Sequence, residues 1–176
     1  MAAYTEFRID GGSTWLNLLA TTGRTFGRSP IERLSRPDDV VAWCELMGLS
    51  VAGPVRELER LRITALRESL RELAFAAVEQ RDAAAKDRTL VAKCASLSRE
   101  GLGVPGALIS FDAALAAIAV DALLMVGGPD AGSLTQCAES DCRWVFLDPS
   151  GRRRWCPAPA CASRGRVRAH RAAATP

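Results

Sequence analysis

The sequence predicts a mainly α protein in two parts: a helical-bundle body over residues 1–132, then a small C-terminal module over 133–176 made of a β-hairpin and a helix. Three observations carry this reading. Apolar residues of the body recur at three- and four-residue steps. A breaker run, Gly127-Gly128-Pro129-Asp130-Ala131-Gly132-Ser133, ends that pattern. Beyond it the composition changes: residues 1–136 carry 15 Lys/Arg against 17 Asp/Glu, net −2, whereas residues 137–176 carry 8 Arg against 3 acids, net +5, with four of the 6 cysteines.

Thr14 to Thr21 (TWLNLLAT) predicts a short apolar helix ended by Gly23. Pro37-Asp38-Asp39 opens a second, because proline suits a first turn and two acids complement the helix dipole. It runs through Val40, Val41, Trp43, Cys44 and Leu46 to a stop at Gly48. Pro54 begins the longest segment. There Leu58, Leu61, Ala65, Leu66, Leu70, Leu73, Ala77 and Val78 form an expected buried stripe, and Arg56, Glu57, Glu59, Arg60, Arg67, Glu68, Arg71 and Glu72 an expected solvated face. A shorter helix is expected over Asp87 to Arg99, interrupted by Gly101, Gly103, Pro105 and Gly106. Ser110 caps the next, which runs through Leu115, Ile118, Ala119, Ala122 and Leu123 to Val126. Its alanines let neighbouring helices approach closely.

The chain has 176 residues, 48% hydrophobic and 24% charged, which excludes a wholly disordered protein. No apolar run reaches the roughly 18 residues of a membrane span, since Asp112 and Asp121 interrupt Phe111 to Val126. Met1 to Asp10 lacks the basic start and apolar core of a signal peptide, so the expected compartment is the cytoplasm, with no membrane partner. The single histidine, His170, lies in the C-terminal tail, and no phosphate-binding glycine loop is present. No catalytic residue is assigned. Cys44 and Cys94 read as small buried hydrophobes, Trp15 and Trp43 as core aromatics that alternatively line a ligand cavity.

In the module, Cys137-x4-Cys142 and Cys156-x4-Cys161 are separated by thirteen residues. Two short cysteine pairs around a hairpin-length insert suit a tetrahedral zinc site, and in a reducing compartment such cysteines read as ligands before disulfides. The competing readings are two disulfides, an iron–sulfur cluster or free thiols. Trp144-Val145-Phe146-Leu147 predicts a strand, Asp148-Pro149-Ser150-Gly151 a turn, and Arg152-Arg153-Arg154-Trp155 an antiparallel return strand. Cys161 opens a helix from Ala162 to about Ala173. This is the treble-clef plan. A unit this small cannot bury enough apolar surface alone, and structural zinc supplies roughly 10–16 kcal/mol in comparable peptides. Four cysteinates leave no open position, so the metal is expected to be structural Zn2+.

The basic residues are candidate nucleic-acid contacts: Arg152, Arg153 and Arg154 on the return strand, and Arg164, Arg166, Arg168 and Arg171 on the helix. All are arginine, which suits forked contacts to phosphate or guanine. Alternatively they are a solvated face, or some of them dock against the acidic body.

The stretch CAESDCRWVFLDPSGRRRWCPAPACASRGRVRAHR resembles the CGNR zinc-finger module. WLNLLATTGR, ERLSRPDDVVAWCELMGL and ALRESLRELAFAA resemble ABATE, the domain usually fused to it. The resemblance implies a stress-induced bacterial transcription regulator whose finger binds DNA. It makes Cys137, Cys142, Cys156 and Cys161 the zinc ligands and Arg164 the arginine of the name-giving motif, here Cys161-Ala162-Ser163-Arg164. The expected function is a zinc-containing DNA-binding regulator, with the body sensing a small molecule or forming a homodimer. The alternatives are an auxiliary or catalytic protein of small-molecule biosynthesis, with a pocket in the body and a purely structural finger, and a protein-interaction module.

Overall fold

The computed structural model describes residues 7–104 and 107–173, and these form six α-helices and two small hairpins. The body comprises α1 (Thr14–Leu19), the two-residue strands β1 (Thr22–Gly23) and β2 (Ile31–Glu32), α2 (Pro37–Leu46), α3 (Glu57–Val78), α4 (Ala85–Ala95) and α5 (Phe111–Val126). Helix α3 is the axis, packing against α1, α2, α4 and α5. The start signals act as the sequence implies. The Ser110 hydroxyl accepts the Ala113 amide at 3.0 Å, and Asp39 accepts the Arg36 amide at 2.9 Å. Pro105 and Gly106, part of the expected break before α5, lie outside the described residues. The breaker run folds into a 3-10 turn, Pro129–Ser133.

The core centres on Trp15, Leu16, Leu18, Trp43, Ile63, Leu66, Leu70 and Ile118, all fully buried. Two expectations for α3 are corrected. Leu58, Leu61 and Ala65 are exposed, and the buried stripe instead runs through Ile63, Leu66, Leu70, Leu73, Ala74 and Ala76. The first turn of α3 precedes the start of α5, which Arg62 meets through Asp112, so no helix there covers Leu58. Arg67 and Arg71, placed on the solvated face, are buried. Arg67 holds Glu32 of β2 with two bonds of 2.7 and 2.6 Å and the Thr21 hydroxyl at 2.9 Å, which pins the first hairpin to α3. Burial alone would raise the Glu32 carboxyl, but the Arg67 guanidinium holds it below the ordinary range.

The module contains β3 (Leu134–Gln136), β4 (Val145–Leu147) and α6 (Pro159–Ala173). Its hairpin differs from the expected one. Strand β4 pairs with β3, Leu134 opposite Leu147 and Gln136 opposite Val145, and Arg152–Trp155 forms no strand. The cause is Asp148. Its carboxylate takes the Ser150 amide and hydroxyl at 3.2 and 2.6 Å and the Arg153 amide at 2.7 Å, so the chain is wound around one side chain. Gly151, at φ 61, supplies the left-handed step.

The module packs directly on the body. Trp144, Val145 and Phe146 are buried in the same apolar cluster as α1 and α3. The Trp144 indole N–H donates to the Leu16 carbonyl at 2.9 Å, and the Leu147 amide donates to the Gly11 carbonyl at 2.9 Å. Gly11 has no room for a side chain, since a Cβ there would lie 2.8 Å from the Trp144 ring.

Candidate metal centre

The loop joining β3 to β4 carries Cys137 and Cys142. The Cys137 amide donates to the Trp144 carbonyl at 2.9 Å and the Cys142 amide to the Glu139 carbonyl at 2.9 Å, so the first pair sits on a tight knuckle. Cys156 arrives after the Asp148 turn, where the Ala138 amide donates to the Arg154 carbonyl at 3.0 Å. Cys161 lies in the first turn of α6, its amide bonded to Ala158 at 3.1 Å.

The four sulfurs lie within 4.8 Å of one another and all four residues are buried. The Sγ atoms of Cys142 and Cys156 are 4.0 Å apart, and no disulfide joins any cysteine. A zinc ion at its usual distance of about 2.3 Å from sulfur needs a tetrahedron with edges of about 3.8 Å. The donor set therefore fits zinc with only a small contraction. Packed so closely, the thiols perturb one another's ionisation. Hydrogen bonds from Cys137, Cys142 and Cys161 hold Cys156 below the thiol range, while those with Cys137, Cys156 and Cys161 push Cys142 up. A divalent cation takes the place of the thiol protons. Bound there, zinc supplies cross-linking and no open coordination position.

Charged groups brace the cluster. Arg8 directs Nη2 at the Cys156 sulfur, 3.7 Å away, and its guanidinium stacks 4.2 Å above the Trp144 ring. Arg164 directs Nη2 at the Cys161 sulfur, 3.6 Å away, and bonds Asp141 at 3.0 Å. Glu139 is almost completely buried and faces Arg168 at 2.7 Å and Arg164 at 3.9 Å, while Arg168 also bonds the Ser140 hydroxyl at 2.6 Å. Both acids belong to the Cys137–Cys142 knuckle. These ties fasten α6 to the knuckle across the metal position.

The seven candidate arginines thus separate into two groups. Arg164 and Arg168 face the knuckle. Arg152, Arg153, Arg154, Arg166 and Arg171 are exposed, as Arg168 also is, and the guanidinium of Arg154 lies 5.3 Å over the Trp155 ring. Glu139, Asp141 and Arg8 escaped sequence reasoning. Two acids within the first cysteine pair, opposite arginines four residues apart on a helix, are a charge match that the sequence carries.

Cys44 and Cys94 are buried thiols, and burial pushes Cys44 up to about 12. Trp15 and Trp43 are fully buried in the core. The cleft of about 510 Å³ between the first hairpin and the module touches neither of them. Among the described residues no helix is long and apolar enough to cross a membrane.

Two family models match the chain. ABATE, described as "Putative stress-induced transcription regulator", matches residues 12–129, and the CGNR zinc finger matches residues 134–174. No curated protein matches. The finger match and the sulfur geometry agree on structural zinc as the cofactor.

Proposed function

From the premise that this chain belongs to the ABATE family and carries a CGNR zinc finger, we propose that it is a cytoplasmic, zinc-containing, DNA-binding transcription regulator. One observation carries the reading. Arg152, Arg153 and Arg154 stand exposed in succession on a segment held at its middle by Asp148, through the Arg153 amide, and at its end by Ala138, through the Arg154 carbonyl. Three forked cations on a fixed backbone suit phosphate oxygens or guanine edges. Arg166 and Arg171 extend the basic surface along α6, whereas Arg164 and Arg168 brace the knuckle. Even with its zinc tetrathiolate the finger keeps a net charge of about +3.

A basic surface of this size gives a modest, salt-sensitive affinity. Useful affinity therefore calls for a second copy of the chain on the same DNA. The test is an oligonucleotide selection with zinc-loaded protein, followed by a salt series on the selected site. Replacing Arg152, Arg153 and Arg154 together by alanine should flatten the slope of log K against log salt by up to about 3. A protein that selects no oligonucleotide even at low salt, or a slope that the triple variant leaves unchanged, would overturn the proposal.

A further inference from the structure

The segment ahead of α1 lies across the zinc module. Gly11 fixes it there: its carbonyl accepts the Leu147 amide of β4 at 2.9 Å, and its amide donates to the Asn17 side-chain oxygen at 2.9 Å. Gly12 follows at φ 97, where a Cβ would lie 2.7 Å from that of Leu147. The two glycines thus let the chain pass close over β4. Three residues before Gly11, this course lays the Arg8 guanidinium 4.2 Å over the Trp144 ring. It also brings Nη2 within 3.7 Å of the Cys156 sulfur, to which it donates. The Arg8 side chain is only 21% exposed.

Charge decides what this contact does. Zinc with four cysteinates carries a net charge of about −2. All four cysteines are buried, where an uncompensated charge is costly. The arginines of α6 are committed to other anions. Arg164 bonds Asp141 at 3.0 Å and Arg168 faces Glu139 at 2.7 Å, so two cations meet the two acids of the knuckle. Arg24 adds a contact to Asp141 at 3.4 Å. Arg8 differs. Its carboxylate partner among the described residues, Asp10, is 3.8 Å away and 47% exposed, a pair that water screens. Its positive charge is left to the sulfur cluster. We propose that Arg8 is part of the metal centre, a positioning residue that donates to the Cys156 thiolate and offsets the charge of the tetrathiolate. It lies outside both matched regions, 12–129 and 134–174, so a residue from beyond the finger's own sequence completes the finger. The inference concerns zinc retention and does not rest on nucleic-acid binding.

Arg8→Met and Arg8→Lys in the full-length protein test it. Methionine keeps an apolar chain over Trp144 and removes the charge; lysine keeps the charge and an N–H donor. Zinc affinity is measured by competition with a chelator, and the thiolate-to-metal charge-transfer band is read on cobalt-loaded protein. Arg8→Met should weaken zinc binding about ten- to a hundredfold, the usual effect of removing a partner from a metal ligand. It should also move the band to lower energy, because a thiolate that loses a charged donor holds its electrons less tightly. Arg8→Lys should recover most of both effects. A residue that merely covers Trp144 would leave the band in place and be replaced as well by methionine as by lysine. Zinc affinity of Arg8→Met within about twofold of the parent, an unmoved band, or no recovery in Arg8→Lys would overturn the proposal.

Discussion

Replacing Trp144 by alanine should destabilise the helices of the body, although Trp144 belongs to the zinc module. The indole is buried between Gly11 and Phe146, and its N–H holds the Leu16 carbonyl of α1 at 2.9 Å. Truncating a buried tryptophan costs about 3–5 kcal/mol, a sum that includes the lost hydrogen bond. For a chain of this length that corresponds to a fall in melting temperature of about 6–20 °C. The assay is thermal unfolding of zinc-loaded protein followed by the helical circular dichroism signal, to which α3, the longest helix, contributes most. Metal content is measured in parallel. The cysteines are untouched, so zinc should stay bound at room temperature while the helices melt earlier, in one transition. Helices that melt within about 2 °C of the parent, with a separate transition for the module, would refute the idea of a shared core.

Glu139→Gln removes the buried carboxylate between Arg164 and Arg168, and zinc release to a chelator should accelerate roughly tenfold or more, with unchanged stoichiometry; an unchanged rate would show that the knuckle needs no tie to α6. Glu32→Gln loosens the first hairpin from Arg67 and should cost about 1–3 kcal/mol, read by denaturant unfolding. The folded pKa of Glu32 is depressed, so its stabilisation is complete above the ordinary value of 4.5 and is lost as pH falls through the lower folded value. The parent should therefore lose stability in that acid window, and Glu32→Gln should lose less.

Helical periodicity, proline at first turns and the Ser110 cap place every long helix, because these are local signals. The sequence also singles out the four cysteines that the fold brings together, since cysteine spacing and charge change together at residue 137. What it conceals is non-local. Arg67 sits on a polar-looking face, and its burial depends on Glu32, thirty-five residues away. The partner of β4 is decided by Asp148, which captures the Arg153 amide and winds the chain before a return strand forms. The union of body and module depends on Trp144 finding Leu16 across 128 residues. No periodicity encodes such a meeting.

The central claim, that four sulfurs hold one ion and thereby shape the module against the body, is tested most directly by X-ray absorption at the zinc edge on purified protein. One zinc per chain with four sulfur neighbours at about 2.3 Å is the expected result. Nitrogen or oxygen in that shell, an iron–sulfur signature, or metal-free protein with intact disulfides would contradict it.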